Sequence, residues 1–408
     1  MLPRAKPEPK PRLRDRHLRA YPYPYTAWLA LSSDPDNTTI ADWTELNATI
    51  WQELGLPFGD TVFLRSYNRN LPDQVDAHRH PEILQAHPHD TLHTWGDYMW
   101  AGAKAFDRAD AEEALAMMRR LGLQPRVWVD HSMFPGNMLH NSRQGSFPRI
   151  VDASGHVYPN PLYTLDLVRQ AGIRYLWDGT ITPVLGQDRP LSRWKVHRAH
   201  GRQLTRSVSN YTKYMVSKAL GVGTGFRAQF RDNAAYRPHR FPDGSMLYTF
   251  QRHGTWEEAD IDGLGRLLSG ERLDQLARHG GTCILYTHLG KRRVYRVGEP
   301  RHIPEHSMAS LRGLAERWHK GRIQLSSVSH LLDYLVLRDH VRVDHEARTV
   351  SFVPDGIAFE RIDAAALRGH RFTLRGINPG QVTVQGPDGP LQPRIDAHAH
   401  GWFTLDFS

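Results

Sequence analysis

Two carboxylates follow the first apolar segment of the chain, only two residues apart. Asp34 and Asp36 come directly after residues 28–31, an apolar run that we interpret as a buried strand. Like charges at this distance repel each other, and each carboxylate loses hydration where a strand ends in a folded core. A metal ion or a shared proton is the usual compensation, whereas a solvated turn in which Asp36 or Thr38 caps a helix is the simpler alternative. The pattern predicts an acid–base or metal site at this strand end.

A second pair of metal-ligand types is found in residues 93–97. His93 and Asp97 are four residues apart, which is about one turn at a strand-to-helix junction, so both could face one ion. His89 offers the same spacing on the other side of His93, but it falls at the start of the short strand that we predict around residues 91–95, away from the mouth of the barrel. We therefore favour Asp97 as the partner of His93, with a packed barrel histidine as the alternative.

Further titratable groups stand at the ends of later predicted strands. They are Asp130, His131, Asp178 and His288. In a barrel of alternating strands and helices, the C-terminal ends of the strands converge on one face, where active sites lie. Titratable groups at so many of these ends predict a metal-dependent hydrolytic site.

The elements that would position these groups are short apolar strands alternating with amphipathic helices. Residues 109–121, for example, place Leu115, Met118 and Leu121 on one helical face and end at Gly122. About seven such units predict a parallel sheet with helical crossovers, and their total length suits a closed barrel. We therefore predict an α/β fold, a distorted (β/α)7-type, TIM-like barrel with a small C-terminal antiparallel β domain.

Composition divides the chain into three segments. Residues 1–24 form a basic, proline-rich tail, residues 25–340 the barrel and residues 341–408 the β domain, where alternating strands and Pro/Gly turns replace helices. The net charge of the chain is +9, but much of it comes from residues 1–20, which contain seven Lys and Arg residues and only two acidic residues. The rest of the chain is only weakly basic, and nucleic acid is not a predicted partner.

The cellular compartment of the protein can be predicted from its apolar runs and its cysteine content. No apolar run approaches the ~18 residues of a membrane helix, and no apolar signal core follows the basic start. The single cysteine, Cys283, cannot form an internal disulfide, which fits a reducing compartment. We predict a cytoplasmic protein without a transmembrane segment.

Taken together, the motifs resemble the polysaccharide deacetylase (NodB-homology, carbohydrate esterase) superfamily. The resemblance rests on Asp34-Pro35-Asp36, His93-Thr94 with Asp97, Asp178, and residues 284–288, which end in Thr287-His288. The more specific likeness is to deacetylase-like proteins found near bacterial surface-polysaccharide genes, and it covers about residues 26–338. It implies a barrel of the glycoside hydrolase/deacetylase kind.

The resemblance also implies roles for these residues. In the family, one aspartate of the first motif is the base and the other binds the metal. The resemblance therefore implies that Asp34 is the base and that Asp36 is a metal ligand. The second family motif supplies two metal histidines, but Asp97 stands in the second place here. We refer to the implied ligands Asp36, His93 and Asp97 as the predicted metal triplet. The last-motif histidine, a general acid in the family, corresponds to His288.

Other implied roles are looser. Asp178 would orient His288 or set its pKa, or serve only as a structural acid. The Arg-Pro-Pro-Tyr motif of the family is absent after the third strand, where an Asp-His-Ser segment stands. His131 in that segment, together with Trp95 and Trp177, is a candidate for binding the substrate.

The implied reaction is hydrolysis of an N-acetyl (or O-acetyl) group on a sugar or polysaccharide precursor. One divalent metal ion, with Zn²⁺ favoured over Mn²⁺, Fe²⁺, Co²⁺ or Ni²⁺, would polarise the acetyl carbonyl and activate water. Asp34 would take the proton of the water, and His288 would protonate the departing group. The implied partner is an acetylated sugar or glycan.

Two other classes of protein stay open. A catalytically silent carbohydrate-binding or assembly barrel would explain why Asp97 replaces the family's histidine. A haloacid-dehalogenase-type phosphatase would phosphorylate Asp34 with the help of Mg²⁺. That class commonly needs adjacent aspartates later in the chain, which this sequence lacks, and it leaves His93 and His288 unused.

Overall fold

The computed structural model describes residues 16–98, 105–130, 136–139, 143–201, 203–220, 233–292, 303–353 and 362–408. These residues form two compact units. The first unit contains residues 25–332, and the second contains the described residues up to Pro24 together with residues 333–408. Within the described residues, every helix is too short or too polar to cross a bilayer.

Eleven strands lie in the described part of the first unit. They are β1 (Ala27–Ser33), β2 (Asp60–Val62), β3 (His89–Leu92), β4 (Val127–Val129), β5 (Arg149–Val151), β6 (Val157–Pro159), β7 (Tyr175–Thr182), β8 (Tyr236–Arg240), β9 (Met246–His253), β10 (Gly281–Thr287) and β11 (Ile323–Ser326). Eight of them form a parallel sheet in the order β11-β1-β10-β9-β7-β4-β3-β2, which curls into a half-barrel. Strand β8 pairs antiparallel with β9, and β5 and β6 form a separate hairpin. This curled parallel sheet is consistent with the predicted TIM-like barrel.

Helices lie between the strands of the parallel sheet and after its last strand, β11. They are α1 (Ile40–Leu46), α2 (Ile83–Ala86), α3 (Arg108–Leu121), α4 (Leu165–Gln170), α5 (Arg193–His200), α6 (Leu204–Ala219), α7 (Ile261–Leu267), α8 (Gly270–His279), α9 (Glu305–His319) and α10 (Val328–Asp339), with a π-helix (Asn47–Glu53) and two 3₁₀ turns (Arg143–Ser146 and Trp256–Glu258). Helix α3 shows how local sequence sets both ends. The Asp107 side chain accepts the N–H groups of Ala109 and Asp110, and Gly122 ends the helix at φ 67°, which favours glycine.

The core of the first unit consists of two clusters of buried side chains. One packs α3 and neighbouring loops against β2, β3 and β4, with Trp95 and Trp128 among its members. The other packs α7, α8 and α9 against β1, β10 and β11. Strands β1 and β10 are buried along their whole length, as expected for central strands of a parallel sheet covered on both faces. The ends of these rigid strands therefore offer fixed positions for a site.

The second unit contains two small sheets. Its elements are β12 (Val341–Asp344), β13 (Thr349–Phe352), α11 (Ala364–Leu367), β14 (Arg371–Arg375), β15 (Thr383–Gly386), β16 (Gly389–Leu391), β17 (Arg394–Ala397) and β18 (Trp402–Asp406). The sheets run β12-β13-β15-β16 and β14-β18-β17, and all pairs are antiparallel except β13 with β15. This arrangement fits the predicted small C-terminal β domain.

Residues 16–24 belong to the second unit and contact its strand β14. Leu18 forms a bridge with Leu374, and the Tyr23 N–H donates to Thr373 Oγ1 at 2.8 Å. These contacts place the end of the predicted tail in a folded environment, while residues 1–15 lie outside the described residues.

Candidate functional site

The predicted residues are brought to the C-terminal edge of the parallel sheet. Asp34 directly follows β1, His93 follows β3, Asp130 follows β4 and His288 follows β10. Because these strands are parallel neighbours in one curled sheet, their ends lie on the same edge. Asp178 differs, since it lies inside β7, which continues to Thr182.

Asp34 is completely buried and forms an ion pair with Arg252 of β9. Arg252 Nη1 donates to both carboxylate oxygens of Asp34, at 2.9 and 2.8 Å, and its Nη2 donates to Ser32 Oγ at 3.2 Å. Thr61 Oγ1 lies 3.4 Å from Asp34 Oδ1. The guanidinium carbon of Arg252 lies 4.1 Å from the centre of the Trp177 ring. The guanidinium thus supplies the countercharge that a buried carboxylate needs.

This buried, ion-paired environment does not suit the predicted role of Asp34 as a catalytic base. A base must reach the proton that it abstracts, but Asp34 is fully covered and both its oxygens contact a guanidinium. The same burial speaks against the phosphatase alternative, in which Asp34 would have to meet a phosphate. Arg252 is not among the residues predicted for the site, although a basic residue at the end of the apolar β9 segment follows the strand-end rule used for the other residues.

Asp36 and His288 lie in contact at this edge of the sheet. His288 Nε2 is 3.2 Å from Asp36 Oδ2, and His288 Nδ1 is 2.7 Å from the carbonyl oxygen of Ala259. Because both ring nitrogens face oxygen acceptors, a doubly protonated imidazolium donates to both. The imidazole is buried, whereas 25 % of the Asp36 side chain is exposed. The structure thus pairs a carboxylate within reach of solvent with a histidine.

The charges around His288 favour its protonated form. Burial alone lowers the pKa of His288, but the hydrogen bond that its ring donates to Asp36 and the charges of Asp36 and Asp34 outweigh burial, so the pKa is raised. His253, at the end of β9, shows the opposite case. Its Nδ1 lies 3.1 Å from the Thr182 carbonyl oxygen, and burial lowers its pKa to about 4. His288 is therefore the better proton donor of the two at neutral pH.

His93 and Asp97 are both buried at the turn that follows β3. The His93 N–H donates to the Val62 carbonyl at 3.0 Å, and Gln74 Nε2 donates to Asp97 Oδ2 at 3.3 Å. Between them, Thr94 has φ 55°, a left-handed conformation that is costly for a β-branched residue. This strained turn ends the strand at Leu92, before the predicted end.

The described residues contain one set of three metal-ligand side chains whose ligand atoms all lie within 4.8 Å of one another. Its members are Asp60, His87 and His89. The predicted metal triplet is not such a set, and Asp36 lies against His288 instead. The metal ion at the strand ends therefore stays a prediction, and we derive no step through a metal there.

The remaining predicted residues have structural surroundings. The carboxylate of Asp178 accepts the Thr180 N–H at 3.1 Å, a local turn contact. Trp95 is buried in the core and its Nε1 donates to Thr164 Oγ1 at 3.1 Å, while Trp177 is buried beneath Arg252. Neither indole presents an exposed face on which a sugar could stack, which corrects their predicted role. His131 lies outside the described residues.

Asp130 organises the segment after β4. Its two carboxylate oxygens accept the N–H groups of Met138 and Leu139, at 2.9 and 2.6 Å, and the side chain is completely buried. These charge-assisted hydrogen bonds tie residues 136–139 back to the strand end. The carboxylate at this strand end therefore holds backbone in place.

Comparisons with known proteins add little to this geometry. No family model and no curated protein matches the chain. Among solved structures, 4-alpha-glucanotransferase from Thermococcus litoralis is similar with a TM-score of 0.30 and 9 % identity, over 75 % of this chain and 38 % of that chain. The chain thus spans well under half the length of that glucanotransferase, and a likeness at this TM-score carries no argument about function.

Proposed function

We propose that the chain is a carbohydrate deacetylase with a glycoside hydrolase/deacetylase type of barrel, which hydrolyses an N-acetyl or O-acetyl group on a sugar or polysaccharide precursor. The motif resemblance suggests the substrate class. The observation that carries the proposal is the contact between Asp36 and His288 at the C-terminal edge of the sheet. His288 is predicted as the general acid and Asp36 as a metal ligand, and their contact supports hydrolysis because a carboxylate beside an imidazole can act as an acid–base pair.

The proposed mechanism uses the two members of this pair for opposite proton transfers. Water can reach Asp36, whose side chain is partly exposed, and Asp36 takes a proton from the attacking water. His288 gives the Nε2 proton, on the ring edge that faces the partly exposed Asp36, to the departing amine or alcohol of the sugar. The Asp34 carboxylate acts as a positioning group, because its charge contributes to the raised pKa of His288. We place the reaction in the cytoplasm, as predicted from the cysteine content.

Release of acetate tests the proposal. We expect the purified chain to release acetate from at least one member of a panel of N- and O-acetylated oligosaccharides. The variants His288→Asn and Asp36→Asn should lose about 10²–10⁴-fold in rate, the usual contribution of a positioned acid or base. His319→Asn, at an exposed histidine at the end of α9, is the matched control and should keep full activity.

A second candidate is the carbohydrate-binding barrel without catalytic activity. The complete burial of Asp34 in its ion pair favours it, because the aspartate that the resemblance implies as base cannot meet a substrate. Binding of an acetylated glycan without release of acetate, unchanged in His288→Asn, would support this candidate and contradict the deacetylase proposal.

A further inference from the structure

Three potential metal ligands converge where β2 and β3 begin. Asp60 is the first residue of β2, His89 is the first residue of β3, and the two are paired in register across the strands. His87 precedes β3, and its Nε2 lies 3.3 Å from Asp60 Oδ2. One ligand atom from each of the three side chains lies within 4.8 Å of the others.

Both histidines direct Nδ1 to an oxygen acceptor that does not belong to the three ligand groups. His89 Nδ1 lies 2.9 Å from the carbonyl oxygen of His87, which only accepts, so this nitrogen carries the proton. His87 Nδ1 lies 3.0 Å from Asn47 Oδ1, which also only accepts. An unprotonated Nε2 on each ring offers a lone pair to a metal ion; in this structure, His87 Nε2 lies at hydrogen-bond distance from Asp60 Oδ2, 3.3 Å away. Metal-binding histidines typically have this arrangement, with the other nitrogen bonded to an oxygen that fixes the ring orientation.

The surroundings would shield a bound ion from solvent. The Trp51 ring stacks on His87 at 3.7 Å and 6° between planes, and the side chains of His87 and Asp60 are only 2 % and 10 % exposed. A cavity of about 10 Å³ borders the cluster, and its lining includes Asp60, His89 and Trp51 but not His87.

We propose that Asp60, His87 and His89 bind one divalent transition-metal ion, with Zn²⁺ as the best fit to two imidazoles and one carboxylate. A fourth position is open to water. The ion would link the start of β2 to the start of β3. Through the hydrogen bond between His87 and Asn47, it would also link both strands to the π-helix.

This site is separate from the proposed acid–base pair. Side chains of successive strand residues point to opposite faces, and Thr61, next to Asp60, directs its hydroxyl to Asp34. The metal site therefore lies behind the strand that contacts Asp34, on the face covered by Trp51 and the π-helix. Its role is structural, and it does not depend on the proposed deacetylase activity.

Metal titration of the full chain tests the proposal. After removal of metal with a chelator, we expect wild type to bind one equivalent of Zn²⁺ in calorimetry, with an increase in melting temperature. Asp60→Asn and His89→Gln should lose this binding. Asn47→Ala should weaken it by about 10–100-fold, because outer-shell partners of a ligand histidine have effects of this size. His80→Gln is the matched control and should bind normally, since His80 contacts Glu82 at 3.3 Å without belonging to a three-residue set.

Spectroscopy on wild type keeps the test independent of whether the variants fold. The Co²⁺-loaded chain should show the visible absorption of a four-coordinate ion, and X-ray absorption of the Zn²⁺ form should show two imidazole ligands. Absence of stoichiometric binding by wild type, or scattering without imidazoles, overturns the proposal. Binding that survives in Asp60→Asn and His89→Gln but is lost in His93→Gln would also overturn it, and would return the ion to the predicted metal triplet.

Discussion

Replacing Arg252 by methionine should destabilise the first unit, because the Asp34 carboxylate would be left buried without its countercharge. Neither side chain has any exposed surface, and Arg252 Nη1 lies within 2.9 Å of both Asp34 oxygens. Removing one partner of a buried ion pair costs about 3–5 kcal/mol. That is a large share of the ~5–15 kcal/mol by which folded domains are stable.

Part of this loss belongs to the charge and part to packing. The guanidinium of Arg252 lies 4.1 Å from the Trp177 ring centre, and a desolvated cation–π contact of this kind contributes about 2 kcal/mol. When Asp34→Asn is combined with Arg252→Met, the unpaired negative charge at position 34 is removed, but the contact between the Arg252 guanidinium and Trp177 is still lost. We therefore expect the double variant to be more stable than Arg252→Met alone, with a coupling energy of about 2–3 kcal/mol between the two positions.

Urea unfolding followed by tryptophan fluorescence measures these free energies, since Trp177 lies directly beside the pair. Arg312→Met is the matched control, because Arg312 and Glu305 form an ion pair at 3.2 Å with side chains 52 % and 82 % exposed. Such exposed pairs contribute about 0–1 kcal/mol. The reasoning is refuted if Arg252→Met loses no more stability than Arg312→Met, or if the effects of Arg252→Met and Asp34→Asn simply add.

Three further predictions concern buried side chains. Trp95→Ala should cost about 3–5 kcal/mol of stability, as for other large-to-small core changes, and any loss of activity should follow the unfolded fraction and not KM. Asp130→Ala should cost about 3 kcal/mol, measured by urea unfolding, because the N–H groups of Met138 and Leu139 lose a charged acceptor. Burial lowers the pKa of His253 from 6.5 to about 4, so over this window the unfolded chain binds a proton that the folded chain does not. Stability should therefore fall by about 3 kcal/mol as the pH decreases from 7 to 4, and His253→Gln should remove this contribution from the urea midpoints.

Each of these predictions has an outcome that contradicts it. A Trp95→Ala chain that keeps its stability but binds glycan more weakly would show that the indole contacts substrate. An Asp130→Ala chain as stable as wild type would show that residues 136–139 are held by other contacts. An identical dependence of stability on pH in wild type and His253→Gln would mean that His253 is not kept neutral by burial.

Much of the fold could be predicted from sequence because its signals are local. The cap at Asp107 and the glycine at 122 define α3, and the continuous apolar run of β10 marks a buried parallel strand. The predicted strand around residues 91–95 extends past the true end of β3 at Leu92, because Trp95 has the aromatic character typical of strands. Only the left-handed conformation of Thr94 ends the strand there, and this also turns Trp95 into the core.

The location of the site could be predicted, but not its pairings. The strand-end rule identified Asp34, Asp36 and His288, whose positions follow from the parallel order of the strands. Which side chains meet depends on register and curvature, and these bring together residues 218 positions apart in the case of Arg252 and Asp34. No local pattern contains that information.

The cluster at the start of β2 and β3 was missed for a different reason. His89 was judged only as an alternative partner of His93, at the C-terminal edge of the sheet. Its side chain instead joins Asp60 and His87 at the strand starts, where the strand-end rule does not apply. Pairing of β2 with β3 in register is needed to see that these residues meet.

The central claim, that Asp36 and His288 act as one catalytic pair, is tested most directly by a double-mutant cycle on the rate of acetate release. Asp36→Asn, His288→Asn and the double variant should each lose about the same factor relative to wild type, because residues that act as a unit give strongly non-additive losses. If the two single losses instead multiply in the double variant, or if either single variant keeps the wild-type rate, the two residues work independently and the account is contradicted.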